Sequence, residues 1–165
     1  MKYYKNSQNE IYAYDDDVSK EQIANGLTPI TEAQAQKILN AEPPIEQLRE
    51  AKTAELAAWT HSMGDSCKIN LKDFGVINGG YRYLLNVEAM IDTFDSLEVR
   101  AFRMYDNSMK KINGQEDLKK IKRAIQIAGQ KLHVLKWGYE LKIEKAKNKK
   151  ELDAITFADT IEVAL

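Results

Sequence analysis

A stripe of apolar residues in the rear half of the chain constrains its fold most. Its members follow one another in steps of three and four residues: Leu118, Ile121, Ile125, Ala128, Leu132, Leu135 and Tyr139. This spacing is typical of a helix seam. It continues for about three heptads, which is close to the shortest run that indicates coiled-coil packing. The spacing predicts one long helix over residues 114–147 whose seam packs against the chain itself, a partner or a second copy.

The front of the chain predicts a small module. Residues 2–14 form an aromatic hairpin in this reading, with a polar turn at 6–9 between its strands. A capping-box pattern predicts a short helix that begins at Ser19 and ends at Asn25-Gly26, followed by an extended connector. A second capping box, at Thr31, predicts another helix that runs to about Asn40.

Glu42-Pro43-Pro44 breaks the chain and divides it into modules 1–43 and 44–165. The second module is predicted to begin with a helix at 44–63, followed by strands at 67–77 and 80–85 around an Asn78-Gly79-Gly80 turn. A helix capped by Asn86 and a strand at 99–105 come next. The long helix, capped by Asn113 with Glu116, and a last helix, capped by Asn148 with Glu151, complete the module. The predicted class is α+β, with a short antiparallel sheet packed on the long helix.

Composition narrows the class of protein. Of the 165 residues, 44% are apolar, which is enough for a core, and the single cysteine excludes an internal disulfide framework. No apolar run approaches the roughly 20 residues of a membrane span. We therefore expect a cytoplasmic protein that does not enter a membrane.

Charge is distributed unevenly along the chain. Residues 1–65 carry a balance of −5, and residues 110–150 carry +9, with Arg123 as the single arginine of that basic stretch. Basic stretches can bind nucleic acid, but arginine reads bases and clamps phosphates better than lysine does. The lysines between seam positions fit a solvated helix face better, and we expect no specific nucleic-acid binding.

No group of residues in the sequence supports catalysis. Asp15-Asp16-Asp17 lacks the spacing of a calcium loop, and His61, Cys67 and His133 are too few for a zinc site. Asn78-Gly79-Gly80 lacks the lysine of a phosphate loop, and a hairpin turn explains it. We predict that the chain is not an enzyme and has no metal or cofactor.

Four tyrosines in the front hairpin are the candidate partner contacts: Tyr3, Tyr4, Tyr12 and Tyr14. Strand alternation places Tyr12 and Tyr14 on one face, whereas Tyr3 and Tyr4 point to opposite faces, so at least one should face outward. Tyrosine offers a large apolar body with a polar tip, which suits an interface. Packing of all four within the protein's own sheet is the alternative.

Two portions of the chain resemble known proteins. The first portion consists of KYYKNSQNEIYAYDDD, GLTPITEAQAQKILN and PPIEQLREAKTAEL. It is similar to the N-terminal module of bacteriophage tail-fibre assembly proteins, in which an aromatic hairpin precedes an L-x-P-I-T-x-x-E/Q-A helix start. The second portion consists of FRMYDN, LKKIKRAIQIAG and ELKIEKAKNKKELDAI. It resembles a domain of uncharacterised function that phages and prophages join to that module. Residues 64–98 match less clearly.

The resemblance implies a protein that helps a tail fibre fold, trimerise or stay soluble, and sometimes remains on the fibre tip. It implies a tail-fibre protein as partner, no enzyme activity, and a location in the bacterial host cytoplasm during assembly or in the virion tail. The main alternative is a structural tail component that forms a homo-oligomer through the long helix. A nucleic-acid binder that uses the basic rear half is a third hypothesis.

Overall fold

The computed structural model describes all 165 residues, which form two compact units, Met1–Pro44 and Ile45–Leu165. The division between the units falls one residue after the boundary predicted from the sequence. Helices and small sheets coexist in the chain, and a long helix packs against a short sheet in the second unit. The α+β class predicted from the sequence is confirmed.

The first unit is a three-stranded sheet with one helix. Strands β1 (Lys2–Lys5), β2 (Ile11–Tyr14) and β3 (Thr28–Ile30) lie in the order β2-β1-β3, and both pairings are antiparallel. Helix α1 (Glu32–Leu39) packs beside β1 and β2. The predicted hairpin and second helix are therefore present, and the segment predicted as a connector adds a third strand.

Side chains close to each turn explain these elements. The Asn6 carboxamide oxygen accepts the backbone N–H groups of Gln8 and Glu10, both at 2.9 Å, and so holds the hairpin turn. Thr31 and Gln34 form the predicted capping box at the start of α1. Ser19 and Gln22 form one as well, but it begins a single 3₁₀ turn, not the predicted helix.

The second unit holds the remaining elements, described in chain order. They are α2 (Ile45–Asp65), β4 (Cys67–Leu71), β5 (Gly75–Gly79), α3 (Tyr81–Asp92), β6 (Ala101–Arg103), β7 (Met109–Lys111), α4 (Gln115–Lys145), α5 (Lys149–Asp153) and β8 (Thr160–Val163). One sheet has the order β5-β4-β8, with β5 antiparallel and β8 parallel to β4. A separate antiparallel pair joins β6 and β7. The main sheet is thus mixed, where an antiparallel sheet was predicted.

The turn between β4 and β5 lies earlier than predicted. Asp73, with φ of 62°, occupies the turn, whereas Asn78 and Gly79 lie in β5. Gly79 pairs with Cys67, and a Cβ at Gly79 would collide with the side chain of Ile69. The glycine pair that predicted a hairpin turn serves close packing at the end of a strand instead.

The strand predicted at 80–85 is wrong, because α3 begins at Tyr81. Gly80 precedes the helix with φ of 96°, a conformation that favours glycine. Leu84, Val87 and Ile91 pack against the core from one helical face. The helical spacing of these three residues determines the structure, and the short alternation of Tyr81 and Tyr83 does not produce a strand. Asn86, predicted as the cap, lies within the helix.

The start of the long helix also differs from the prediction. Strand β7 separates the turn after β6 from α4, and Gly114 occupies the N-cap position. The backbone N–H of Asn113 donates to the Asp117 carboxylate at 2.9 Å, so the predicted pairing of Asn113 with Glu116 is wrong. The helix ends at Lys145, two residues before the predicted end.

The predicted seam of α4 lies inside the core of the second unit. Leu118, Ile121, Ile125, Ala128 and Leu132 are buried with residues of α3 and the main sheet. Tyr139, with the half-buried Leu135, belongs to a second cluster, formed with α2 and α5. Helix α4 packs against α2, α3, β4 and β8, and the chain itself therefore covers the seam.

Aromatic contacts connect α2, α4 and the segment before β8. The Trp59 ring lies edge-on to Tyr139, with centroids 5.3 Å apart, and its indole N–H donates to the Ala158 carbonyl at 2.8 Å. The Tyr139 hydroxyl accepts the Ala158 N–H at 2.9 Å. Both backbone groups of Ala158 are satisfied by side chains, which positions the chain for its return to the sheet.

Candidate partner-binding surfaces

The sheet of the first unit gathers three tyrosines on one face. Tyr4 pairs directly with Tyr12, and Lys2 pairs with Tyr14. Directly paired residues of an antiparallel sheet share a face, and successive residues alternate. Tyr4, Tyr12 and Tyr14 therefore lie on one face of the sheet, which we call the tyrosine face, and Tyr3 lies on the other with Ala13 and Ile30.

Contacts within the tyrosine face differ from ring to ring. Tyr4 and Tyr14 meet edge-to-face, with ring centroids 5.7 Å apart and planes at 86°. The Tyr14 hydroxyl accepts the Ala24 backbone N–H at 3.4 Å, and both rings are half-buried. Tyr12 is 37% exposed, and its hydroxyl donates to the Glu10 carboxylate at 3.3 Å. Tyr12 is thus the outward tyrosine, and it shares its face with the Tyr4–Tyr14 pair.

Little is buried beneath these rings. Ala35, in α1, is the one residue of the first unit that reaches full burial, and the apolar side chains around it are half-buried or exposed. Folding stability comes mainly from apolar area removed from water, so a core this small stabilises the unit weakly. Area buried against another protein would add directly to that stability.

The residues considered for chemistry do not converge. Asp15, Asp16 and Asp17 are exposed, as are His61 and His133. Cys67 is buried in β4, where burial raises the pKa of its thiol to about 11 and keeps it neutral near pH 7. A neutral thiol is a poor nucleophile. No group of three or more histidine, cysteine or acidic side chains is placed to hold a metal ion.

A second surface, which the sequence did not predict, lies on the outer side of α4. Val134, Trp137 and Leu141 are 62%, 59% and 53% exposed. They follow one another at intervals of three and four residues, the same spacing as the buried seam. The same spacing is visible in the sequence and could have predicted a second apolar face. The longer seam of the same helix was the stronger pattern.

Comparison of the chain with protein-family models, with curated proteins and with solved structures finds no match. The longest helices of the chain are also not apolar enough to cross a membrane.

Proposed function

We propose that this chain is a tail-fibre assembly protein of a phage or prophage that binds the tail-fibre protein through the tyrosine face of its first unit. The observation that carries the proposal is the outward Tyr12, which shares a face with Tyr4 and Tyr14 in a unit with a very small core. The resemblance of this unit and of the rear segments to phage proteins supports the choice of partner. In this role the chain acts in the bacterial host cytoplasm or on the virion tail, without catalysis.

The tyrosine face has the chemistry of a protein interface. Its rings offer large apolar area with few rotatable bonds, so that ordering them on binding costs little entropy. The first unit carries four lysines and seven acidic residues, which gives it a net charge of −3. We therefore expect the complementary surface of the fibre to be apolar at its centre and neutral or basic at its rim.

The test uses the full chain co-expressed with a tail-fibre protein encoded beside it. Tyr12→Ser removes the exposed ring but leaves the Tyr4–Tyr14 contact, and we expect it to weaken capture of the fibre at least about tenfold. Tyr81→Ser is the matched control, because Tyr81 is 68% exposed but belongs to the second unit. It should leave capture unchanged, and thermal unfolding should be similar for both variants.

Fibre capture by Tyr12→Ser at the level of the unchanged chain would exclude the tyrosine face as the contact. Failure of the unchanged chain to capture the fibre or to increase its soluble yield would contradict the assembly role itself. These two results are separable, because the second does not depend on any substitution.

A self-associating structural component of the tail is the second candidate. The seam of α4 is covered by the chain's own core, so a second copy would have to use the outer side of the helix, where Trp137 is exposed. Sedimentation velocity of the isolated chain distinguishes the two proposals. A monomer that gains mass with the fibre supports the assembly role, whereas a stable oligomer without fibre supports the structural one.

A further inference from the structure

Helix α4 carries two apolar faces on opposite sides. Successive residues of a helix are rotated by about 100°, which places Val134, Trp137 and Leu141 roughly opposite the buried Leu132 and Tyr139. The first three side chains are each more than half exposed. Exposed apolar residues that occur singly are ordinary, but three that follow one another along one helical face are a candidate interaction surface.

A groove continues this row at the end of the helix. It has a volume of about 390 Å³ and lies between the last turns of α4 and the residues from α5 onward. Its apolar lining comes from Leu141, Ala146, Ala154 and Ile155. Leu141 belongs to both the row and the groove, so that the two form one surface, which we call the outer α4 surface.

The groove lining carries a net positive charge, from two lysines against one glutamate. Lys142 and Lys145 line it, and neither forms an ion pair within the chain. Glu151 also lines the groove, but its carboxylate already accepts the Lys147 backbone N–H at 2.8 Å and the Asn148 amide at 3.0 Å. The Lys142 ammonium lies 5.4 Å from the centroid of the Tyr139 ring, a cation–π contact. Lys142 and Lys145 are both exposed, so their ammonium groups can bind an acidic partner.

We propose that the outer α4 surface binds an amphipathic helical segment of a partner protein, with its apolar side chains on Val134, Trp137 and Leu141 and its carboxylates on Lys142 and Lys145. This surface lies in the second unit and adds a partner contact beyond the proposed fibre contact of the first unit. From residue 134 to residue 145 the helix rises about 16 Å, which an opposing helix matches with about 11 residues.

Charge argues against a second copy packed antiparallel on this surface. A twofold axis that relates two antiparallel helices brings the same flank of each helix together. The flank with Lys142 and Lys145 would then face its own copy, and like charges at an interface are repulsive. An acidic segment relieves that repulsion and gains charge-assisted contacts, so it is the occupant that the surface favours.

The experiment selects binders for the full chain from a displayed library of random peptides about 16 residues long. We expect the enriched peptides to combine leucine, phenylalanine or tryptophan in helical spacing with aspartate or glutamate. The affinity of the best peptide should fall at least about tenfold in Leu141→Ser and in the pair Lys142→Glu/Lys145→Glu, and should fall again as salt is raised. Lys120→Glu is the matched control, since Lys120 is exposed near the start of the same helix.

A spectroscopic readout places the peptide on the surface. Trp137 is exposed and Trp59 is half-buried, so a peptide that covers Trp137 should shift the tryptophan emission of the chain to shorter wavelength. Trp137→Phe should keep most of the affinity, because an aromatic ring remains, but lose the shift. The same affinity for the best peptide in Leu141→Ser as in the unchanged chain would contradict the proposal.

Three other results would overturn the choice of occupant. Enriched peptides that are neutral or basic would exclude an acidic segment. A dimer of the isolated chain that dissociates in Leu141→Ser would assign the surface to a second copy. Binding to vesicles of phosphatidylcholine and phosphatidylserine, without enrichment of any peptide, would assign it to an anionic membrane surface.

Discussion

Gly80 shows how one residue connects two elements. Its φ of 96° lies in the region that favours glycine, and a Cβ there would meet the backbone carbonyl of Asp65 at the end of α2. Gly138 is different, since it lies inside α4 with open space around the position of a Cβ. The two glycines should therefore respond to alanine in opposite directions.

We predict that Gly80→Ala lowers the free energy of unfolding by at least about 1 to 2 kcal/mol, from the strained backbone and the collision with Asp65. Gly138→Ala should raise it by about 0.5 to 1 kcal/mol, because alanine is the better helix former. Urea unfolding of both variants checks the pair. A destabilised Gly138→Ala would mean that the position is crowded.

Cys67 links residue-scale electrostatics to stability. Burial raises the pKa of its thiol from 9.0 to about 11. The unfolded chain therefore loses this proton at a lower pH than the folded chain does. The stability that the protonated Cys67 thiol contributes is complete below about pH 9 and is lost as the pH rises toward 11.

We predict that the stability difference between the unchanged chain and Cys67→Ala shrinks by about 1 to 2 kcal/mol between pH 8 and about pH 10.5. Comparison with the variant cancels the pH dependence that all other groups contribute equally to both proteins. Chemical unfolding at the two pH values measures the difference. A difference that is independent of pH would show that the thiol is not desolvated.

At the scale of elements, α4 is defined by which of its faces is covered. Leu132 is buried in the main core, whereas Val134, two residues later, is exposed. Both are apolar, and helix propensity alone does not separate them. Packing against α2, α3 and the sheet decides which face contributes to stability.

We predict that Leu132→Ala costs about 2 to 5 kcal/mol of unfolding free energy, which includes the cavity left behind. Val134→Ala should change it by less than about 0.5 kcal/mol, because the valine side chain already contacts water. Thermal or urea unfolding of both variants is the measurement. A cost under about 0.5 kcal/mol for Leu132→Ala would show that the assignment of the faces is wrong.

At the scale of the whole molecule, burial is divided unequally between the units. Every buried apolar residue except Ala35 belongs to the second unit. Domains of about 40 residues usually need a disulfide, a metal or a partner to fold alone. This contrast implies that the first unit would gain stability from the proposed partner contact.

We predict that residues 45–165 produced alone unfold in a single cooperative transition. Residues 1–44 alone should show no cooperative transition, because their apolar contacts are too few to offset the chain entropy. Circular dichroism during heating checks both. A sharp transition for residues 1–44 would contradict the claim that this unit is marginally stable.

Sequence patterns determined the parts of this protein whose causes lie within a few residues along the chain. The capping groups of Thr31 and Asn148, the Asn6 turn and the seam of α4 depend on neighbours in sequence, so spacing was enough to predict them. The orientation of Tyr12 relative to Tyr14 followed from strand alternation in the same way, although whether Tyr12 is exposed depended on the folded unit.

The tertiary structure decided the elements that exist through distant pairing. Strand β8 is short and becomes a strand because Ile161 lies beside Ile69, far away in the sequence. Gly79 is required because Ile69 packs against it, which no local pattern indicates. Which apolar face of α4 is covered was likewise decided by packing, since two faces with the same helical spacing compete for one core and the longer one buries more area.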